Sequence, residues 1–122
     1  MIAVQMVAEP TPIHRRSGPQ PGVPTPPRHL SAESRRLWRA TLARFEFEPH
    51  HLTILTVALE ALDRLRQAQA EVERDGLTVP GRWGPRAHPA IAIERDARIA
   101  YVRAIRELGL DLEPPPERKS WR

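Results

Sequence analysis

A chain of 122 residues without cysteine has room for one domain and excludes disulfides and thiolate zinc sites. No apolar run approaches the roughly 18 residues that span a bilayer, so the sequence predicts a soluble cytoplasmic protein with no membrane partner. The net charge of +4 is segregated: seven arginines and two acids lie in residues 1–45, three arginines and seven acids in 46–75, and six arginines and two acids in 76–106. Two basic regions that flank an acidic one suit an anionic polymer as partner.

The chain begins with a proline-rich arm. Seven of the fourteen prolines fall in the first 27 residues, among Gly, Gln, Thr and Ser. This composition is typical of a disordered or polyproline-like segment, which we predict over residues 1–29. A second group of prolines marks a flexible tail over residues 113–122. The part predicted to fold is therefore 30–112, a size at which isolated domains are marginal without assistance.

The first predicted helix follows the arm. Ser31 is the expected N-cap, and Glu33 lies near the positive end of the helix dipole. The helix is predicted to run to about Phe45, and its apolar side holds Leu37, Trp38, Thr41, Leu42 and Phe45. Its other side carries Arg35, Arg36 and Arg39, for which an ordinary solvated face and a phosphate-contacting face both stay open.

A long helix predicted from Pro49 to Asp75 is the centre of the chain. Proline fits the first helical position, and Gly76 fits the left-handed residue after a helix end. At about 100° per residue, the apolar side chains occupy an arc of roughly 220°, wider than a surface helix needs. We expect other copies of the chain to help cover this arc, through Leu55, Leu59, Leu62 and Leu65. The remaining polar stripe is expected to be solvated, including its acids Glu60, Asp63, Glu71, Glu73 and Asp75.

Turn signals interrupt the chain after this helix. Proline–glycine pairs between residues 80 and 85 predict an irregular hairpin-like loop. Trp83 is expected near its tip, beside Arg82 and Arg86. This tryptophan either pins the loop onto the helices or, with the two arginines, touches nucleic acid through stacking and charge.

A third helix is predicted from Pro89, at its first position, to Leu108, with Gly109 past its end. Its expected core side holds Ile93, Ala97, Ala100, Tyr101, Ala104, Ile105 and Leu108. The predicted fold is all-α: a helical hairpin with a long central helix, a short β-hairpin-like insertion and a third helix.

Signatures of enzymatic chemistry are absent from the sequence. There is no P-loop for nucleotide phosphates, no nucleophile-elbow serine motif and no cysteine. The adjacent His50 and His51 point about 100° apart on a helix, so they do not make a metal-binding pair. We predict a protein that is not an enzyme and has no metal and no cofactor.

Several short motifs follow one another over about residues 24–116. They are P-x-H-L-S-x-E-x-R-x-L-W from Pro27, E-P-H-H-L from Glu48, G-L-T-V from Gly76, H-P-A from His88, E-R-D-A-R from Glu94 and L-G-L from Leu108. In this order and spacing they resemble the small terminase subunit of tailed bacteriophages. The resemblance implies a helical protein that assembles as a ring, recognises double-stranded phage DNA, and recruits and regulates the large subunit, which carries the packaging ATPase and the nuclease.

On this resemblance we expect a homo-oligomeric ring in the bacterial cytoplasm, encoded by a phage or prophage, that delivers viral DNA to the packaging motor. The expected DNA-binding residues are Arg28, Arg35, Arg36 and Arg39, with Arg82 and Arg86 second. Two alternatives stay open: a helical oligomeric adaptor with no specific DNA binding, and a small dimeric DNA-binding regulator with a helix-turn-helix.

Overall fold

The structure, a computed structural model, describes residues 13–15 and 22–110. Within them, three helices dominate: α1 (Ala32–Arg44), α2 (Pro49–Asp75) and α3 (Ala90–Leu108). Short strands form two antiparallel pairs: β1 (His14–Arg15) with β2 (Phe45–Glu46), and β3 (Thr78–Gly81) with β4 (Gly84–Ala87). The predicted all-α class is confirmed, with the small hairpin in its predicted place. None of the helices described combines the length and the hydropathy that a membrane span requires.

α2 begins and ends at the residues that the sequence predicts. Pro49 is its first residue, and the backbone N–H of Glu48 donates to Nδ1 of His51 at 3.1 Å. Gly76 follows the last turn with a φ of 85°, a backbone conformation that favours glycine. With 27 residues, α2 is about 40 Å long. The other two helices are arranged along it.

α1 and α3 cover α2 within the single chain. Four leucines of α2 are each at most 6% exposed: Leu55, Leu59, Leu62 and Leu65. They share one core cluster with Trp38 and Leu42 of α1 and Leu108 of α3. Our expectation that a lone chain cannot cover this helix is therefore wrong, because its own two neighbours enclose most of the apolar arc. The four leucines are core residues of one chain, and their role in contacts between copies stays a prediction.

Alanines rather than isoleucines form the buried side of α3. This helix packs mainly against α2, and its buried side holds Ala90, Ala97 and Ala104 at heptad spacing. Small side chains let two helices approach closely. Ile93, predicted for the core, is 45% exposed. Ala100 of α3 and Leu37 of α1, also predicted for the core, are exposed as well. Those three assignments are wrong because the buried side of each helix is narrower than its apolar side.

Parts of the predicted arm lie against the helical core. Ile13 is buried and belongs to the core cluster, and the adjoining strand β1 pairs with β2 in the link between α1 and α2. Residues 1–12 and 16–21 of the arm lie outside the described residues, as does the predicted tail. The domain boundaries therefore stay a prediction.

One carboxylate of α2 holds the start of α1. The Ser31 hydroxyl caps α1 by accepting from the N–H of Ser34 at 3.1 Å, and it donates to Asp63. The backbone N–H of Ser31 donates to the other Asp63 oxygen at 2.9 Å. The buried Ser34 hydroxyl also lies within hydrogen-bond distance of Asp63. Asp63 therefore joins the two helices, and the expectation that it is simply solvated is wrong.

These hydrogen bonds change the acidity of Asp63. Partial burial disfavours its charged form, but the hydrogen bonds from Ser31 and Ser34 outweigh that effect and hold the pKa of Asp63 below its usual value. A carboxyl group whose pKa is lower in the folded than in the unfolded state stabilises the fold above the unfolded pKa, at about pH 4. That contribution is lost as the pH falls toward the folded pKa.

Replacing Asp63 with Asn should lower the free energy of unfolding by about 1–2 kcal/mol at neutral pH, because hydrogen bonds to a charged acceptor are the stronger ones. Thermal unfolding followed by circular dichroism measures the change. The difference from wild type should shrink below about pH 4. Glu60→Gln is the matched control, since Glu60 lies one turn away on α2 and forms an exposed pair with His29. Equal destabilisation by both variants would contradict the role of Asp63.

Candidate nucleic-acid interface

Three of the predicted arginines surround one surface cavity. The chain before α1 is fixed to that helix where Nε1–H of the buried Trp38 donates to the carbonyl of Pro24 at 3.0 Å. This bond confirms Trp38 as a core residue and holds a proline-rich segment along α1. Between the segment and α1 lies a cavity of about 510 Å³, lined by Val23, Pro24, Thr25, Pro26, Arg28, Arg35 and Arg39.

The arginines of this cavity have no acidic partner among the residues that the structure describes. None of Arg28, Arg35 and Arg39 forms an ion pair within residues 13–15 and 22–110. The acid Glu33 of α1 pairs instead with Arg66 of α2, at 3.1 Å. A guanidinium group without a carboxylate keeps its N–H donors available for an anion. Three such groups around one cavity are suited to phosphate oxygens.

Arg36 extends the basic surface but does not line the cavity. Its side chain is exposed on α1. By helical winding it lies about 60° from Arg39 and about 100° from Arg35. The structure thus brings together three of the four arginines predicted around α1 and places the fourth beside them.

The predicted loop is a regular hairpin whose turn is formed by Arg82 and Trp83. Its register pairs Val79 with Arg86 in the strands. Trp83 is 91% exposed, so the expectation that it pins the loop onto the helices is wrong. The guanidinium carbon of Arg82 lies 5.3 Å from the centroid of the Trp83 ring, a cation–π contact.

His88 closes the base of this hairpin. Its backbone N–H donates to the carbonyl of Leu77 at 2.9 Å, and its Nε2 lies 2.9 Å from Oδ2 of Asp75. Its Nδ1 accepts a hydrogen bond from the N–H of Ala90 at 2.9 Å. Since Nδ1 is an acceptor, the ring proton is on Nε2 and is donated to Asp75. One buried imidazole thus joins the end of α2, the hairpin and the start of α3.

Asp75 keeps its charge at this junction. Hydrogen bonds first from Arg74 and then from His88 hold the pKa of Asp75 well below its usual range. The expectation that Asp75 belongs to a solvated acidic stripe overlooked this pairing. The available signal was the position of the pair, with Asp75 just before the predicted loop and His88 just after it.

The described histidines and acids offer no metal centre. No group of three or more such side chains in residues 13–15 and 22–110 is arranged to hold a metal ion. The rings of His50 and His51 are 3.9 Å apart between centroids, but Nδ1 of His51 already accepts from the backbone of Glu48.

The arrangement is therefore a helical scaffold that presents two basic elements, the arginine cavity and the hairpin. A family model described as "Phage terminase, small subunit" matches residues 31–114 of the chain. The chain belongs to the phage terminase small-subunit family. No curated protein and no solved structure matches it. The residues of this small subunit that the family model matches include the hairpin and the arginines of α1. Arg28 lies just before the matched residues.

Gly81→Ala should open the hairpin of the small subunit. A Cβ atom at Gly81 would lie 2.6 Å from the carbonyl oxygen of Gly84, so the backbone must shift. We expect a local cost of about 1–3 kcal/mol, typical of overpacking. Amide hydrogen exchange in β3 and β4 should rise while the helical circular dichroism stays the same. Thr78→Ala, at an exposed position of the same strand, should leave exchange unchanged; slow exchange in the Gly81 variant would refute this hairpin geometry.

Proposed function

We propose that this small subunit is a non-catalytic, homo-oligomeric protein of the host cytoplasm that binds double-stranded phage DNA and presents it to the large terminase subunit. The observation that carries the proposal is the cavity of Arg28, Arg35 and Arg39, whose guanidinium groups have no acidic partner in the described residues. Membership of the small-subunit family supports the packaging role. The ATPase and nuclease activities are assigned to the large subunit.

The contacts expected of the cavity are with phosphates and not with bases. Guanidinium groups bind phosphate oxygens through paired N–H donors, and such contacts set affinity and orientation without reading sequence. DNA binding through Arg28, Arg35 and Arg39, with Arg36 beside them, is therefore salt-dependent. Arg82 and Arg86 add positive charge at the hairpin.

Assembly of copies is proposed to use the exposed side of α3. Ile99 and Val102 are 44% and 46% exposed and lie one helical turn apart. Beside them is a mainly apolar cavity of about 360 Å³, lined in part by Tyr101, Ile105 and Leu110. Exposed apolar patches of this kind mark contacts with other proteins. A second copy of the small subunit is the partner that we assign to this patch.

Replacing Arg28, Arg35 and Arg39 together with Ala should weaken binding to duplex DNA. The slope of log affinity against log salt should flatten by about 0.9 for each phosphate that the protein no longer neutralises. Fluorescence polarisation across a salt series measures both effects. Ala at Arg15, Arg44 and Arg64, exposed positions outside both the arginine cavity and the α3 patch, removes the same formal charge and is the control.

If the two triple variants lose the same DNA affinity, the effect is a general attraction between a basic protein and DNA, and not a property of the cavity. An unchanged slope in the first variant would remove its arginines from the site. Tight binding to the large subunit without salt-sensitive DNA binding would favour the adaptor function instead.

Ile99→Glu combined with Val102→Glu should reduce the mass of the assembled species in sedimentation while the helical circular dichroism is retained. Charges on this patch oppose its burial between copies. Val57→Glu, at an exposed position of α2, is the control and should leave the assembly intact. Substituting Leu59 or Leu62 is uninformative, because a glutamate at those buried positions unfolds the chain itself. An unchanged mass in the α3 variant would contradict the proposed contact.

A further inference from the structure

The tip of the hairpin carries the most exposed of the large apolar side chains that the structure describes. Trp83 is 91% exposed, and Leu77 at the base of the hairpin follows at 69%. An indole buries a large area when it finds a partner, and it supplies rigid contact at low entropic cost. Within the fold its ring contact is with Arg82, 5.3 Å away. The core of the protein thus gains nothing from a tryptophan at this position.

The charge around Trp83 is entirely basic. Between Gly76 and Pro89 the sequence contains Arg82 and Arg86 and no acid. Neither arginine forms an ion pair in the described part of the chain. An indole flanked by guanidinium groups that have no acidic partner there fits a ligand that combines flat aromatic faces with negative charge. Nucleic acid has both, whereas a protein partner must supply an apolar pocket with acids around it.

The tip is held away from the helices by a stiff support. Pro80 and Pro85 face each other in the register of the two strands, and the pyrrolidine ring fixes φ at both positions. At the base, His88 is bonded to Leu77 and to Asp75. A preorganised element loses little conformational entropy on binding.

We infer that Trp83 is a base-stacking wedge, which enters duplex DNA at an unstacked step while Arg82 and Arg86 contact the flanking phosphates. The inference rests on the proposed DNA binding and deepens it. Apolar side chains that insert between base pairs kink the duplex, and flexible or unpaired steps open at the least cost. The preferred ligand is therefore a duplex with a deformable or locally unpaired step.

The test compares two duplexes that differ only in a short central mismatch. The full-length wild-type chain should bind the mismatched duplex more tightly. Trp83→Ala should weaken that binding by roughly 5- to 100-fold, the range for loss of one stacked base, and should keep the salt slope set by the cavity arginines. Trp83→Phe should retain part of the preference. Leu77→Ala, which shortens the other exposed apolar side chain of the hairpin, should retain all of it.

Each other outcome overturns the inference in a distinguishable way. If wild type and Trp83→Ala bind both duplexes equally and with the same salt dependence, DNA binding stands and the wedge does not. If Trp83→Ala loses affinity equally on both duplexes, the preference for an unstacked step is wrong. If it leaves DNA binding intact but releases the large subunit or a neighbouring copy, the tip is a protein contact. If the wild type shows no salt-dependent DNA binding, the proposed function fails together with the wedge.

Discussion

The structure depends on covering one long helix along its length with two shorter ones. α2 is apolar around more than half of its girth, so it needs a partner on two sides to exclude water from those side chains. α1 reaches from the start of α2 to its middle, where Ser34 meets Leu59 and Asp63. α3 returns along α2 from the other end, with Ala97 and Leu108 in the common core. α1 is joined to α2 by a short link and α3 follows α2 after the hairpin, so both helices that cover α2 are also its neighbours in the sequence.

This arrangement decides where functional side chains can be. The helices place most of their leucines in the core, α1 and the segment before it carry the arginines of the cavity, and the hairpin carries the exposed tryptophan. Trp38 fixes the segment before α1, and His88 fixes the hairpin between α2 and α3. Binding groups placed on connections that a rigid scaffold positions are a general feature of proteins. Here each connection has its own buried anchor.

Local signals explain why the helix boundaries were predictable from the sequence. Pro49, Gly76 and Gly109 mark helix ends through their own backbone preferences. Ser31 caps α1 by a hydrogen bond to the N–H of Ser34, three residues along the chain. The two turn glycines likewise located the hairpin. Only Pro89 was displaced, by one position, since it precedes the first residue of α3.

The limits of each buried helix side and the partners of the polar groups were not predictable in the same way. They depend on residues distant in sequence. In the sequence, Asp63 is one acid among several, and only the fold places Ser31 and Ser34 within hydrogen-bond distance of it. Ile93 is exposed because alanines of α3 face α2 instead. The local sequence around Trp83 does not indicate that its side chain is exposed at the tip of a hairpin and not packed against the helices.

The candidate site was predictable in its residue types and not in its grouping. Arginines around α1 could be named from their segregation in the sequence. Their arrangement around one cavity depends on the Trp38–Pro24 hydrogen bond, in a segment whose composition predicts disorder. Composition is a poor guide there because one buried donor is enough to fix a short proline-rich segment.

Under the proposed function, the small number of arginines per copy makes assembly part of DNA binding. Three or four phosphate contacts give an affinity that falls steeply with salt, and they carry no sequence information. Copies held together convert successive contacts into intramolecular events, so a weak site on each subunit becomes strong binding by the whole. Selection of a particular site must then come from the energy of deforming the DNA or from the spacing of the copies. Under the same proposals, the rigid hairpin with its exposed indole deforms the DNA, and the apolar patch on α3 sets the spacing of the copies.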